Sequence, residues 1–223
     1  MAKFEHIIFD LDGTLLDTIP DLLYNLNLTF KELRLPGNFN EREMASFIGS
    51  GKDEQIRRAL KARNIKETHF AAVNSLLSHY YALNTSNYTK VFPGVKETLE
   101  ALKAQNIKLY VATNKPHNVA VEVVKKFFGD DTFLTVRGDK GDGIIKPNPK
   151  FLGTLLKEID APLHKVLFVG DSNVDYLTAK NALLNAAIVP HGYDKNVLLV
   201  TDKKLHILKH FKDILLLESE DKA

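Results

Sequence analysis

Two aspartates, Asp10 and Asp12, follow a short apolar run in the segment FDLDGT at residues 9–14. Two anions about 4 Å apart repel each other by about 4 kcal/mol at an effective dielectric near 20, so some nearby group must offset the repulsion. Alternate residues of an extended strand share a face, so both carboxylates can serve one site, and Gly13 permits a sharp turn after them. The competing interpretation is an ordinary Asp-Gly turn in which Asp12 makes an Asx turn.

Polar residues follow three other apolar runs of the chain. Thr113 and Asn114 come after IKLYVA, and Asp171 and Asp175 lie in GDSNVD after KVLFV. Lys146 lies in IIKPNP, before a proline that restricts its backbone. If the strands are parallel, all these residues meet at one edge of the sheet.

Each of these residues also has an ordinary structural interpretation. Thr113 and Asn114 can be helix caps, and Ser172 with Asp175 fits a capping box at the start of a helix. A single lysine such as Lys146 is more often solvated. The combination of acids from two strand ends with a hydroxyl and a lysine from two others favours one shared site over coincidental capping.

Phosphoryl transfer is the chemistry that needs such a set of groups. Several carboxylates in one pocket require a divalent cation, and oxygen ligands in a chain without cysteine favour Mg²⁺. Lys146, the Thr113 hydroxyl and backbone N–H groups can neutralise a phosphate as its geometry changes. Aspartate is a known covalent nucleophile in this chemistry, and a second carboxyl can move the proton of the leaving oxygen.

Short strands alternating with helices must position these residues. The predicted strands are residues 6–9, 107–112, 133–136, 166–169 and 187–189. The predicted helices are residues 93–104, 116–128, 149–159 and 173–184, three of which begin near a proline. This alternation predicts the α/β class, with a parallel sheet covered by helices on both faces and ligands at the carboxyl ends of its strands.

The segment 17–86 has a different pattern. It contains no convincing strand but has amphipathic helices, the first with Leu22, Leu26 and Phe30 at helical spacing. We therefore expect a helical domain at 17–86 inserted after the first strand into a core formed by 1–16 and 87–223, with hinges near 14–18 and 85–92.

The carboxyl-terminal part has weaker signals. Residues 198–200 predict a strand and 203–217 a closing helix, while the polar end ESEDKA at 218–223 predicts fraying. After GDSNVD the helix has no glycine to end it, so Asn185 is expected to take that role.

Composition limits the function classes. The 223 residues have a formal charge of +2, with 44% hydrophobic and 26% charged residues, which is ordinary for a globular protein. A charge so close to zero argues against nucleic acid or a membrane surface as the main partner. The absence of cysteine excludes disulfides and thiolate chemistry. A short apolar amino terminus and the lack of a long apolar segment predict a cytoplasmic protein.

Four motifs together resemble those of the haloacid dehalogenase superfamily of phosphatases. They are, in order along the chain, FDLDGTLLDT, VATNKP, IKPNP and VGDSNVD, and their surroundings cover nearly the whole sequence. The resemblance implies a Rossmann-like core with a helical cap inserted after the first strand. It also implies that Asp10 is the nucleophile that forms an aspartyl-phosphate and Asp12 the general acid/base. Thr113 and Lys146 are then catalytic residues that bind the phosphate.

The resemblance further implies the metal site and the substrate group. The implied Mg²⁺ ligands are Asp10, Asp12 through its backbone carbonyl, and Asp171, with Asp175 a ligand or a supporting residue. TLLDT, TNKP and the cap length are most similar to the phosphoglycolate phosphatase group, so a small phosphorylated metabolite, 2-phosphoglycolate first, is the expected substrate. The alternatives are a β-phosphoglucomutase-type mutase, a pyrophosphatase or nucleotidase, and a binding protein that senses a phosphometabolite.

The cap segment FIGSGKDEQ at 47–55 occupies the position of a specificity loop in this superfamily. Gly49, Gly51 and Lys52 are candidates to close over the leaving group and exclude water, with Asn114 as a further substrate-binding residue. A glycine-rich turn before a helix explains the same residues equally well.

The eight histidines are scattered along the chain. His206 and His210 have the spacing of a helical metal pair, but no third ligand accompanies them, so a solvated helix face is preferred over a zinc site. His117 and His191 fit either the rim of the site or ordinary surface.

Overall fold

A computed structural model describes residues 2–84 and 86–219. Within these residues the strands are β1 (Ala2–Lys3), β2 (His6–Phe9), β3 (Leu16–Asp17), β4 (Lys90–Val91), β5 (Lys108–Pro116), β6 (Thr135–Asp139), β7 (Val166–Gly170), β8 (Asn185–Ile188), β9 (Leu205–Ile207) and β10 (Glu218–Ser219). Six of them form one parallel sheet in the order β6-β5-β2-β7-β8-β9. The predicted α/β class with a parallel sheet is confirmed.

The helices of the described residues fall into a cap group and a core group. The cap group is α1 (Ile19–Glu32), α2 (Glu41–Phe47), α3 (Lys52–Ala62) and α4 (Phe70–Leu83). The core group is α5 (Val95–Ala104), α6 (His117–Phe128), α7 (Pro149–Ile159) and α8 (Asn173–Asn181). None of the described helices is long and apolar enough to cross a membrane.

The two faces of the sheet bury separate apolar layers, because successive residues of a strand point to opposite sides. In β2, Ile7 and Phe9 pack with residues of α5 and α6, whereas Ile8 packs with residues of α7 and α8. Helices therefore cover both faces, and the central strands β5, β2 and β7 are held in a fixed parallel register.

The cap helices have an apolar cluster of their own. Leu26, Phe30, Met44, Ile56 and Leu77 are fully buried in it. Where the chain leaves and re-enters the core, β3 and β4 pair antiparallel, with Leu16 opposite Val91. This two-stranded ribbon lies within the two predicted hinge segments, of which residue 85 is outside the described residues.

The prediction for the carboxyl-terminal part is wrong in two places. Residues 198–200 do not form a strand, since Asn196–Leu199 is a 3-10 helix. Residues 203–217 do not form one closing helix, since they contain β9 and the 3-10 helix Phe211–Leu216. Leu208 and Phe211 are nevertheless buried against the core. The apolar spacing correctly predicted that Leu208 and Phe211 are buried. It did not predict their backbone conformation, because β9 pairs with β8 at the edge of the sheet and no helix forms.

Two smaller expectations also differ from the structure. Helix α8 ends at Asn181, and Leu183 adopts a positive φ of 61°, so Asn185 begins β8 instead of ending the helix. Glu218 and Ser219, expected to fray, pair with the amino-terminal strand β1. The rest of the predicted frayed end, residues 220–223, is outside the described residues.

Candidate active site

The predicted site residues meet at the carboxyl ends of three neighbouring strands. Asp10 directly follows β2, Thr113 and Asn114 lie in β5, and Asp171 directly follows β7. All four are at least nine-tenths buried. The parallel order of these strands brings together residues that are far apart in sequence.

Lys146 lies at the centre of the acidic groups. Its Nζ is 2.7 Å from Asp10 Oδ1 and 2.7 Å from Asp175 Oδ1. The contact with Asp10 is an ion pair without hydrogen-bond geometry, so Asp10 Oδ1 has no hydrogen-bond partner among the described residues. A backbone bond fixes the lysine, since its N–H donates to Asn114 Oδ1 at 2.7 Å.

Asp175 forms the capping box that its spacing from Ser172 predicts. Its Oδ2 accepts the N–H groups of Asp171 and Ser172 and the hydroxyl of Ser172. Its Oδ1 accepts from Lys146 at 2.7 Å. Three hydrogen bonds to Oδ2 and the Lys146 ammonium against Oδ1 support a positioning role for Asp175 more strongly than direct ligation.

Close packing fixes the Asp171 carboxylate. Tyr193 N–H donates to its Oδ2 at 2.8 Å, and the Thr14 hydroxyl donates to its Oδ1 at 3.3 Å. Gly13, at a φ of +85°, leaves the space for it, because a Cβ there would lie 2.6 Å from Asp171 Oδ2. Gly13 therefore provides both a turn after Asp12 and room for the Asp171 carboxylate.

Burial dominates the electrostatics of the site. Burial is the largest effect on Asp10 and raises its pKa to about 7. The positive charge of Lys146 lowers this pKa, and the negative charge of Asp175 raises it. Burial, Asp175 and Asp10 together raise the pKa of Asp171 well above its ordinary value. Burial lowers the pKa of Lys146, but the two carboxylates it contacts outweigh burial and raise it overall. The single positive charge of Lys146 does not balance the charges of Asp10, Asp171 and Asp175.

The uncompensated charge fits a hard divalent cation. Carboxylate oxygens of Asp10, Asp171 and Asp175 lie within 4.8 Å of one another, and all three residues are buried. Oxygen-only donors suit Mg²⁺. The Asp12 carboxylate is not part of this group.

Asp12 instead pairs with Lys115, which sequence reasoning missed. Lys115 Nζ lies 3.1 and 3.2 Å from the two oxygens of Asp12, and both side chains are largely buried. A signal was present, since Lys115 and Thr113 are two residues apart in an extended segment and share a face.

Asn114 connects the core to the cap. Its Nδ2 donates to the backbone oxygens of Lys146 and Gly49, both at 3.0 Å. Because Gly49 belongs to the cap loop, one amide holds that loop and the Lys146 segment together. Thr113 Oγ1 accepts the Lys115 N–H at 3.3 Å.

A cavity of about 40 Å³ lies between the cap and the edge of the sheet. Its walls include the predicted residues Asp10, Asp12, Gly49, Gly51, Lys52, Thr113, Asn114 and Lys146. They also include three residues with polar side chains that sequence reasoning missed, Lys115, Gln55 and Tyr81.

The cap loop forms the predicted glycine-rich turn before a helix, and its residues Gly49, Gly51 and Lys52 line the cavity. Gly51 is the N-cap of α3, as a glycine-rich turn requires, and Lys52 is the first helical residue. Lys52 is half-buried, its Nζ donates to Ser78 Oγ, and burial lowers its pKa. A lysine of this kind is available to an anion that enters the cavity.

The histidines contribute little to this site. His191 Nε2 lies 3.0 Å from the Thr14 carbonyl oxygen, and His117 Nδ1 accepts from Gly138 N–H at 3.3 Å. Neither is among the described residues that line the cavity. His206 lies in β9 and His210 precedes a 3-10 helix, so the predicted shared helix face is wrong.

Comparison with known proteins defines the class. The model of the haloacid dehalogenase-like hydrolase family matches residues 7–189, and the chain belongs to that family. The predicted resemblance and the prediction of an enzyme, a phosphoric monoester hydrolase, are confirmed in preference to a sensing protein.

Particular relatives share almost the full length. The phosphoglycolate phosphatase of Mannheimia succiniciproducens is 36% identical over 220 residues, which are 96% of this chain and 98% of the relative. That of Pasteurella multocida is 34% identical over 221 residues, with 96% and 98% covered. The crystal structure of a predicted phosphoglycolate phosphatase from Haemophilus somnus has a TM-score of 0.87 and 33% identity, with 97% of this chain and 98% of that chain covered.

Proposed function

We propose that the chain is a Mg²⁺-dependent phosphatase that hydrolyses a small phosphomonoester, with 2-phosphoglycolate the leading candidate, through an aspartyl-phosphate. The observation that carries the proposal is the convergence of Asp10 and Asp171, at the ends of adjacent strands, with Lys146 from the loop before α7. Relatives named phosphoglycolate phosphatase support the choice of substrate.

Asp10 is the nucleophile in the proposed reaction. One of its carboxylate oxygens attacks phosphorus, and the bond from phosphorus to the leaving oxygen breaks as Asp12 gives that oxygen a proton. A water molecule then loses a proton to Asp12 and attacks the same phosphorus, and the bond from phosphorus to the Asp10 oxygen breaks. Inorganic phosphate leaves, which restores both aspartates. Before the first of these steps Asp12 has to leave its contact with Lys115 and take up a proton from solvent, so that it can donate one to the leaving oxygen.

Positive charge and fixed donors stabilise the phosphoryl group. Lys146 lies against Asp10 at the position where the charge develops, and the Thr113 hydroxyl and nearby N–H groups can bind phosphoryl oxygens. Asp10, Asp171 and the Asp12 carbonyl would hold Mg²⁺, with Asp175 positioning Lys146. When bound, the ion offsets the charge of phosphate and carboxylates together.

The cap is proposed to select the leaving group. The cavity, of about 40 Å³, is small, which favours a compact ester over a nucleotide. Lys52 and Lys115 offer two cations on its wall, and 2-phosphoglycolate carries a carboxylate on its leaving group. Residues 17–86 thus act as a cap domain with Gly51 and Lys52 at its inner surface.

A substrate panel tests the proposal. We expect kcat/KM with Mg²⁺ to be at least about tenfold higher for 2-phosphoglycolate than for β-glucose 1-phosphate, pyrophosphate or 5′-nucleotides. Asp10→Asn is expected to lower phosphate release by at least about three orders of magnitude. Isomerisation of β-glucose 1-phosphate faster than its hydrolysis would replace the phosphatase by a mutase. Equal rates for wild type and Asp10→Asn would end the covalent mechanism.

A further inference from the structure

Two cap residues on the cavity wall have no role in the chemistry described so far. Gln55 of α3 and Tyr81 of α4 face the same cavity as Asp12 and Lys115. Their exposed fractions are only 5% and 6%. They are polar residues that the cap buries where an apolar pair would pack more simply.

A hydrogen bond fixes the Gln55 amide. Tyr81 Oη donates to Gln55 Oε1 at 2.9 Å. Burial raises the pKa of Tyr81, so the phenol keeps its proton and needs an acceptor. Gln55 Oε1 is the only such acceptor among the described residues. The amide oxygen is therefore turned towards Tyr81.

The other end of the amide has no partner. Gln55 Nε2 is enclosed and makes no hydrogen bond within the described part of the chain. Buried polar groups are normally paired, so an unpaired one at a ligand cavity calls for a ligand atom. Thr18, Asn74 and Arg137 also have unpaired buried atoms, but none of them lines this cavity.

Asp10 Oδ1 is the other buried side-chain atom of the cavity-lining residues with no hydrogen-bond partner in the described part of the chain, and it is ion-paired with Lys146. The wall thus has the proposed nucleophile on the core side and one unsatisfied donor on the cap side. A phosphomonoester complements such a pair, because its phosphorus accepts the nucleophile and its leaving group can offer an oxygen to the donor.

We propose that Gln55 determines substrate specificity by donating an N–H bond to an oxygen acceptor on the leaving group, with Tyr81 as its positioning residue. This inference rests on the proposed phosphatase function. It assigns the substrate to the class of phosphomonoesters whose leaving group has a carboxylate or hydroxyl oxygen near the ester. A site that places a buried donor against the substrate disfavours an analogue without the acceptor.

Two substrates with equal carbon counts isolate this bond. 2-Phosphoglycolate has an acceptor on its two-carbon leaving group, and ethyl phosphate has none. In Gln55→Met, which keeps the length of the side chain but removes the amide, we expect the ratio of their kcat/KM values to fall at least tenfold. The exposed Gln105→Met is the matched control and should keep the wild-type ratio.

Further variants test the direction of the bond. Gln55→Glu keeps an oxygen for Tyr81 but replaces the donor by an anion, so its ratio should fall below that of Gln55→Met. The single variant Tyr81→Phe should have a lower ratio than wild type. The double variant Tyr81→Phe/Gln55→Met should have the same ratio as Gln55→Met alone, because Tyr81 has no amide to position once Gln55 is gone. Thermal unfolding confirms that each variant is folded.

Failure of the proposed role of Gln55 and failure of the proposed substrate give different results. A ratio within twofold of wild type in both Gln55→Met and Gln55→Glu overturns the role of Gln55, even if 2-phosphoglycolate is the preferred substrate. If another phosphomonoester of the panel is preferred, the proposed substrate is wrong, and the ratio of that ester to ethyl phosphate must then fall at least tenfold in Gln55→Met. A smaller fall for that ester overturns this inference as well.

Discussion

Lys115 Nζ contacts both carboxylate oxygens of Asp12, at 3.1 and 3.2 Å, although the two residues are 103 positions apart. The proposed acid/base group is thus held by a cation on the wall of the cavity and is separate from the cluster of Asp10, Asp171 and Asp175. We expect an incoming anion that binds Lys115 to release Asp12 to act on the leaving oxygen.

Replacement of Asp12 should lower kcat/KM most for substrates whose leaving oxygen needs a proton. Asp12→Asn is expected to lower kcat/KM for 2-phosphoglycolate by about 10²–10⁴, the usual contribution of general acid–base catalysis. The loss should be smaller for 4-nitrophenyl phosphate, whose leaving oxygen is stable without a proton. Steady-state kinetics on both substrates check this, with the exposed Asp130→Asn as control. Equal losses on both substrates would contradict a proton-transfer role.

Removal of one cluster acid should abolish stabilisation by Mg²⁺. Wild type is expected to gain thermal stability with millimolar Mg²⁺, because a ligand that binds only the folded state stabilises it. Asp171→Asn should gain little. In EDTA this variant should be at least as stable as wild type, because it removes repulsion among buried acids while its amide oxygen can still accept the Tyr193 N–H. An unchanged Mg²⁺ shift in the variant would place the ion elsewhere.

The buried carboxylate of Asp21, near the start of α1, holds residues 87–89, where the chain returns from the cap to the core. Asp21 accepts the N–H groups of Asn87, Tyr88 and Thr89 and the Thr89 hydroxyl. Asp21→Ala leaves these donors without their acceptor, so we expect a loss of about 2–4 kcal/mol in the free energy of unfolding by urea.

A matched variant separates the backbone bonds from the side-chain bond. Thr89→Val removes only the hydroxyl donor to Asp21 and should cost about 1 kcal/mol. Because Asp21 ties the first cap helix to residues 87–89, Asp21→Ala should also lower kcat, as a misplaced cap predicts. If both variants lost the same stability, the backbone bonds would contribute nothing measurable.

The positions of the main catalytic candidates could be predicted from sequence because parallel strands end at one edge. Asp10, Thr113 and Asp171 each follow or end an apolar run, so strand order alone brings them together. The spacing of Lys115 from Thr113 could have placed Lys115 at this edge, but its pairing with Asp12 and the position of Gln55 could not be found in this way. Their partners are set by tertiary distances, and one of them lies on the cap, whose position over the core no local pattern encodes.

The carboxyl-terminal part shows a second limit. Leu205, Leu208 and Phe211 recur every three residues, a spacing that fits one face of a helix. Leu205 instead belongs to an edge strand that pairs with β8, while Leu208 and Phe211 pack against the sheet. The pattern identified residues that become buried, but only the available sheet edge decided their backbone conformation.

A buried histidine at the start of β2 should make stability depend on pH. His6 is 5% exposed, its Nδ1 lies 3.1 Å from Tyr110 Oη, and burial lowers its pKa below the ordinary value of 6.5. The folded state thus favours the neutral ring, and the unfolded chain binds the proton more readily. The stability that His6 contributes is present above pH 6.5 and is lost as pH falls through 6.5 towards the lowered pKa.

The difference in unfolding free energy between wild type and His6→Gln isolates this contribution from the other titrating groups. Asp10 and Asp171, whose pKa values are raised, give the opposite slope, since their contribution is lost as pH rises. They are present in both proteins and cancel in the difference. The difference measured by urea unfolding should therefore be largest above pH 7 and shrink below pH 6.5. The same comparison for the exposed His79→Gln should change less, and an equal change would show that burial of His6 is not the cause.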